Sequence, residues 1–473
     1  MPLGLSLVAS ALEQRGFEPR VLDLCFSRNP HRDIASAIAA LKPAAIGLSI
    51  RNLDNGEYLR PRSYLADAAA MTKVCRESSD APLIVGGPAV SIAPEEMRKR
   101  LGADYAIAGD GEEALADLLT ALDGSEPVSR TAGVDARSED PSPAPQRISD
   151  LDALPLADIG RWVDLRPYLR CGSPMPVQSK RGCAFECIYC TYRFIEGPRY
   201  RVRKPEAVVA EMHDAGSRWR VRRFDFVDST FNHPPEYAMT LCEAIIRSKL
   251  KAGLQTMNLN PAGTSLELLT LMARAGFGSV TCAPDSACDE MLDRLGKGFD
   301  SAQVARTAAW AREAGLSVLW SFIFGGPGET EATVRETLQF MQKALSAEDR
   351  ILCTLGLRIY PGTDLERMAR AEGLIAPHDD LMEPTFYFSP HISPARILEL
   401  LDGSARRSQM LYLEALQRPF IAWAMRVHAA LRLRSPAWRA VPLYNRLTRR
   451  RHSGVPTATI EQTQQRAEDS AGS

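Results

Sequence analysis

Long apolar runs are missing from this sequence. None approaches the roughly 18–20 residues that span a bilayer, and the longest candidates, Ala45–Ile50 and Val318–Gly326, have the length of strands. No basic segment precedes a hydrophobic core at the N-terminus, so an export signal is not expected and a cytoplasmic setting is. Neither sign of charge is in excess. The 57 Lys and Arg against 58 Asp and Glu leave a net charge of −1, which gives no argument for nucleic acid as a partner. With 45% apolar and 24% charged residues, disordered, collagen-like and coiled-coil compositions are excluded. Cysteine is scarce, ten in 473 residues, which excludes a disulfide scaffold.

What is present is alternation. Over residues 1–123 a helical stripe from Pro2 to Arg15 is closed by Gly16, and strand signals follow at Arg20–Leu24, Ala44–Ile50, Pro82–Val85 and Tyr105–Ala108. Helical segments are interleaved with them, one opened by Pro30, one near Pro94–Leu101 and one near Glu112–Leu122. Continuously apolar strands alternating with helices predict an α/β, doubly wound, Rossmann-like domain with a parallel sheet covered on both faces. Residues 124–165 open on a Ser-, Pro-, Asp- and Arg-rich stretch without periodicity and read as a linker. A second alternating series fills 166–385, with strands starting near Met175, Phe224, Gln255, Ser279, Ser317 and Ile351. Thr264-x-x-Glu267 and Asp300-x-x-Gln303 read as capping boxes there. Six such units predict a partial (β/α)6 barrel of the TIM type, whose chemistry sits in loops at the C-terminal strand ends. Residues 386–452 read as helical and 453–473 as a disordered tail.

Three of the ten cysteines cluster. Cys183, Cys187 and Cys190 stand in RGCAFECIYCTYR as C-x3-C-x2-C, directly after the first strand of the second series. At this cysteine content one given triplet spacing arises by chance about 0.004 times per chain. Three thiolates on a short loop can hold three irons of a [4Fe–4S] cube and leave the fourth open to an outside ligand. The alternative is a zinc site, which wants four protein ligands, usually as two pairs. His213 and the dispersed cysteines offer no second pair, and the remaining histidines read as structural or exposed.

The triplet, with Tyr189 before its last cysteine and Ser179-Lys180-Arg181-Gly182 before its first, resembles the radical SAM superfamily. The likeness runs over roughly Pro174–Pro384. It implies that Cys183, Cys187 and Cys190 ligate the cluster and that S-adenosylmethionine (SAM) chelates the open iron. One electron then splits SAM to a 5′-deoxyadenosyl radical, with Tyr189 near the adenine. FDFVDSTFN resembles the motif that approaches the methionine moiety, at Asp228, Ser229 and Thr230. CAPDSACDEMLDRLGKGF resembles the ribose-contacting segment, with Asp285 where Glu is usual, followed by Ser286. FIFGGPGET resembles the fifth-strand turn, where Gly325 and Gly326 allow close backbone approach to the ligand. LRIYPGTDL resembles the sixth-strand end of methylthiotransferase-like and cobalamin-linked members.

The N-terminal series, through IGLSIRN, LIVGGPAV and YAIAGDGEEAL, resembles the cobalamin-binding (B12-binding) domain of class B radical SAM enzymes. Ser49, Gly86, Gly87 and Gly109 end successive strands, where small residues let a large planar ring lie on the sheet edge. A nucleotide-binding or ligand-free domain fits the same strand pattern. The segment matching Met1–Leu5 usually follows a first strand, which this sequence does not show, and an unpaired sheet edge with weakened cobalamin binding is the expectation.

The resemblance implies a cobalamin-dependent C-methyltransferase of secondary-metabolite, cofactor or lipid biosynthesis, acting on a small molecule and fed electrons by a reductant such as flavodoxin or ferredoxin. Two alternatives stand beside it: radical cyclisation, rearrangement or oxidation without methyl transfer, and a non-catalytic metal-stabilised binding protein. Residues 404–452 hold eleven Arg and one acidic residue, Glu414, with Trp423 and Trp438 interleaved. Such a region suits contact with an anionic membrane surface or a solvated face covering the barrel.

Overall fold

Short apolar strands that each run into glycine or polar residues build the first sheet. The computed structural model describes residues 1–124, 132–136, 144–145, 147–412 and 438. They fall into two units, one of Met1–Asn55, Ser63–Ala184 and Thr191–Phe224, the other of Gly56–Arg62, Phe185–Cys190 and the chain from Asp225 onward.

In the first unit β1 (Ile46–Ser49), β2 (Leu83–Gly86) and β3 (Tyr105–Ile107) are parallel neighbours, and β4 (Val134–Ala136) adds antiparallel to β3. The helix Leu3–Gln14 packs on Gly111–Leu122, and Pro30–Leu41 packs on Leu65–Ser78. Asn29 accepts from the Arg32 N–H to open Pro30–Leu41, with proline at the first helical position where no donor is lost. Ile84, Ile107, Ala114, Leu118 and Val134 form the core between sheet and helix.

Two expectations change here. Arg20–Leu24 is not a strand. Among the described residues the sheet's outermost parallel strand is β1, and this segment joins no sheet. The segment is held instead by Tyr168, whose hydroxyl donates to Asp23 at 2.9 Å and whose ring meets Phe26 edge-on at 4.7 Å. Conversely, the stretch read as linker contributes β4, three residues being too few for a periodicity to register. The first unit also holds β5 (Met175–Val177) and the antiparallel ribbon of β6 (Lys180–Arg181) and β7 (Arg201–Val202).

The second unit carries β8 (Arg223–Phe226, entered from the first), β9 (Gly253–Thr256), β10 (Ser279–Asp285), β11 (Ser317–Phe324) and β12 (Arg350–Leu355). Their spatial order follows the chain, with bridges Leu254↔Phe277 and Leu259↔Cys282 joining β9 to the strand beyond. β5, which neighbours β8, precedes them in the same order, so these six strands make up the partial barrel. Helices Pro235–Ser248, Leu266–Ala275, Ser301–Glu313 and Glu331–Ala344 alternate with these strands. Along β11, Val318, Trp320, Phe322 and Phe324 are buried while Leu319, Ser321 and Ile323 stay partly open, the period-two signature of a strand. β13 (Leu357–Arg358) pairs antiparallel with β14 (Phe386–Tyr387), and β15 (Met410–Tyr412) pairs parallel with β12.

Asp300 caps, accepting from the Gln303 N–H at 2.7 Å, but the box is not closed, because Gln303 Nε2 donates to the Pro261 carbonyl at 2.9 Å instead. The cap of Leu266–Ala275 is Ser265 rather than Thr264, because the Thr264 hydroxyl is turned to the Asn260 carbonyl. Beyond Pro390 the helix Pro394–Asp402 is present. Most of the Arg-rich stretch, with Glu414 and Trp423, and the 453–473 tail lie outside the described residues. Among the described residues no helix is long and apolar enough to cross a membrane.

Gly87, directly after β2, stands at φ +99°, and a Cβ there would stand 2.7 Å from the Ile50 carbonyl oxygen. Gly87→Ala is therefore expected to destabilise the first unit by about 1–3 kcal/mol, as a lowered midpoint in urea unfolding; an unchanged midpoint would contradict the geometry.

Candidate functional site

Ser49, Gly86, Gly87 and Gly109 lie at the C-terminal ends of three adjacent strands. Ser49 stands opposite Gly86 in the β1–β2 register, and the Gly109 N–H donates to Ser91 Oγ at 3.0 Å. A Cβ at Gly86 would only touch Ile107 at 3.8 Å, so the absent side chain leaves the edge low rather than relieving a clash. Small residues at neighbouring strand ends, Ser49 exposed among them, fit a flat macrocycle laid on the sheet edge.

Just past this edge, burial of charge becomes dense. Arg181, one residue before the Gly-Cys pair, holds Glu112 at 3.2 Å through Nη1 and again through Nη2, and lies 3.1 Å from Asp110. Arg201 also donates to Asp110. Burial alone would raise the Asp110 carboxyl, but Arg181 and Arg201 outweigh it and hold it below its usual value. Gly182 follows at φ +95°, where a Cβ would sit 2.0 Å from the Arg199 carbonyl oxygen, so only glycine fits. Cys183 is buried, its N–H bonded to the Gly197 carbonyl at 3.0 Å and its sulfur 4.0 Å from the Tyr200 hydroxyl.

Cys187 and Cys190, in the second unit, are partly buried, and the Cys190 N–H donates to the Cys187 carbonyl at 3.1 Å. Their loop is fastened on both sides: Ile188 N–H donates to Leu295 O at 3.2 Å, and Leu365 N–H to Ile188 O at 2.9 Å. Tyr189 donates its hydroxyl proton to Asp285, and Lys297 Nζ lies 2.6 Å from the same Asp285 Oδ2. Asp285 sits at φ +67°, at the register shift between β10 and β11. A ribose contact by this carboxylate would compete with both partners. Burial, the Asp285 charge and the Cys187 and Cys190 sulfurs push the Tyr189 phenol well up, so it stays protonated.

The other SAM candidates end strands of the same unit. Asp228 is fully buried, its carbonyl accepting from Asn258 Nδ2 at 3.2 Å; Thr230 is buried and Ser229 partly open. Asn232 locks the following turn by accepting from the Asn260 N–H at 2.8 Å. Ser286 lies 3.1 Å from the Thr337 hydroxyl and accepts from the Cys288 N–H, which makes it a local cap. Gly325 and Gly326 donate their N–H groups to Glu329 Oε2, the latter at 3.1 Å. All three cysteines are thiols outside any disulfide. Among the described residues no three His, Cys, Asp or Glu side chains converge on a single ion, whereas the thiolates of a cube bind separate irons. The donor set fits the cluster.

The sequence reading passed over Lys297 and Glu329. Both stand inside the quoted motifs, but lysine, or glutamate just before a helix, is ordinarily solvated, and only the fold reveals burial. Burial pushes the Glu329 carboxyl to about 7 against the pull of the Gly325 and Gly326 N–H groups. The folded value lies above the unfolded one, so the native state binds the proton more tightly. Stability should therefore fall as pH rises from about 4.5 to about 7, by at most roughly 1.4 kcal/mol per pH unit, and level off above. Glu329→Gln should flatten that stretch of a denaturation-against-pH series; identical slopes would show the carboxyl titrates normally.

Comparison with known proteins agrees with this layout. The B12 binding domain model matches residues 1–119 and the Radical SAM superfamily model matches 177–341. The chain is 26% identical to an uncharacterized methyltransferase of Pyrococcus horikoshii, covering 79% of each. It is 27% identical to the tryptophan 2-C-methyltransferase of Streptomyces laurentii, covering 76% of this chain and 70% of that one. In structure it is similar to the radical S-adenosylmethionine methyltransferase TsrM from Kitasatospora setae, solved with cobalamin and a [4Fe–4S] cluster bound. The TM-score is 0.82 at 23% identity, over 95% of this chain and 96% of that one. The chain thus carries a B12-binding domain followed by a radical SAM domain, the cysteine triplet lying within the latter's matched residues.

Proposed function

We propose that the protein is a cobalamin-dependent radical SAM methyltransferase that alkylates carbon in a small molecule, working in the cytoplasm with an external one-electron reductant such as a flavodoxin or ferredoxin. The observation that carries the reading is the coexistence of the cysteine loop with a sheet edge of small residues. When bound, the cluster supplies the electron that splits SAM, and cobalamin carries the methyl group.

The chain's own residues bind, orient and exclude water. Cys183, Cys187 and Cys190 would hold three irons, and Gly182 and the 295–296 turn fix the backbone that presents them. Asp228, Ser229 and Thr230, the Asp285–Ser286 segment and the Gly325–Gly326 turn would line the SAM site, with Tyr189 beside the adenine. Ser49, Gly86, Gly87 and Gly109 would seat the corrin ring. Pre-organised positioning of reactants is the protein's main catalytic contribution in such chemistry.

A second reading, radical cyclisation or oxidation, has one specific support. The chain is 24% identical to an anaerobic magnesium-protoporphyrin IX monomethyl ester cyclase of Rubrivivax gelatinosus, over 71% of its length.

Oxygen-free incubation of the reconstituted protein with SAM and a reductant separates the two. S-adenosylhomocysteine together with 5′-deoxyadenosine is expected for methyl transfer, and deoxyadenosine alone would favour the second reading. Replacing any one of Cys183, Cys187 or Cys190 by alanine should abolish both products and cut bound iron and sulfide several-fold. Stoichiometric zinc without sulfide in the wild type would overturn the assignment.

A further inference from the structure

Burial of Lys297 needs a reason beyond stability. A buried ion pair often contributes no more than apolar residues of the same volume, yet the Lys297 side chain is only 5% exposed and that of Asp285 3%. An ammonium has three donors, and three acceptors surround this one: Asp285 Oδ2 at 2.6 Å, the Tyr189 hydroxyl oxygen at 3.2 Å and the Ala283 carbonyl at 3.3 Å. With its donors committed to protein atoms, the group acts on its surroundings through its charge.

The backbone dictates where that charge stands. Leu295 O accepts the Ile188 N–H, and Gly296, at φ +66°, nests against the Glu186 carbonyl where a Cβ would lie 2.7 Å away. Lys297 thus hangs from a turn fastened to the stretch between the first and last cysteines. Its ammonium lies 5.8 Å from the centre of the Tyr189 ring, next in sequence to Cys190. Burial alone would lower its pKa, but Asp285 and the Cys187 and Cys190 sulfurs outweigh that and raise it, so the group stays a cation. Away from water such a charge is weakly screened.

We propose that Lys297 is a fixed cation that sets the reduction potential of the [4Fe–4S] cluster held by Cys183, Cys187 and Cys190, with Asp285 holding it in place and offsetting part of its field. The inference rests on the cluster reading above. Reduction adds one electron to the cluster, so a neighbouring positive charge favours the reduced form and a neighbouring negative charge disfavours it. Lys297 is a positioning and tuning residue.

The test is a redox titration of anaerobically reconstituted full-length protein, followed by electron paramagnetic resonance without SAM or cobalamin, after iron and sulfide have been quantified. Lys297→Met should lower the midpoint by at least a tenfold change in the one-electron equilibrium, which is 59 mV. Lys297→Arg should stay within threefold of wild type. Asp285→Asn, which keeps the shape and the cation, should move the midpoint the opposite way. Unshifted midpoints in cluster-loaded variants, or Lys297→Met and Asp285→Asn moving together, overturn the proposal. Should Lys297→Met fail to hold a cluster, an unshifted or lowered midpoint in Asp285→Asn overturns it alone. Wild-type protein without iron and sulfide overturns the cluster reading itself, and the proposal with it.

Discussion

Thiolates placed three and four residues apart repel one another, and a loop that carries three of them persists only where something else fixes its backbone and balances its charge. Around Cys187 and Cys190 both requirements are met by one short turn. Leu295 and Gly296 supply the backbone grip, and Lys297, one residue on, supplies the opposite charge. Around Cys183 the grip comes from the β6–β7 ribbon, where Arg181 is itself immobilised by Asp110 and Glu112.

The strands were the most legible part of the sequence. Ser279 and Ser317 begin β10 and β11 as read, and the other barrel strands begin within two residues of their expected starts, because parallel strands buried on both faces are continuous apolar runs. Arg20–Leu24 has the alternation of a short strand, but tertiary contacts of Asp23 and Phe26 with Tyr168 hold it as irregular chain instead. Thr264 was a plausible cap by residue type, and Ser265 took the position because the Thr264 hydroxyl had a carbonyl within reach.

The site divides in the same way. The cysteines could be read because their spacing is improbable, and the glycines because each follows a strand. Asp285 was legible as a motif position, but its engagement by Tyr189 and Lys297 was not, since the partners lie 96 and 12 residues away in sequence. Glu329, two residues before a helix, carried no signal in the sequence; the Gly325–Gly326 turn, whose N–H groups it accepts, makes it a buried acceptor.

Gly182 has a practical corollary for anyone who would reshape this protein. Since the Arg199 carbonyl oxygen already fills the volume that any larger residue would need, randomising the neighbourhood of the first cysteine explores one position fewer than it seems. Laboratory evolution of this loop will have to vary residues other than Gly182.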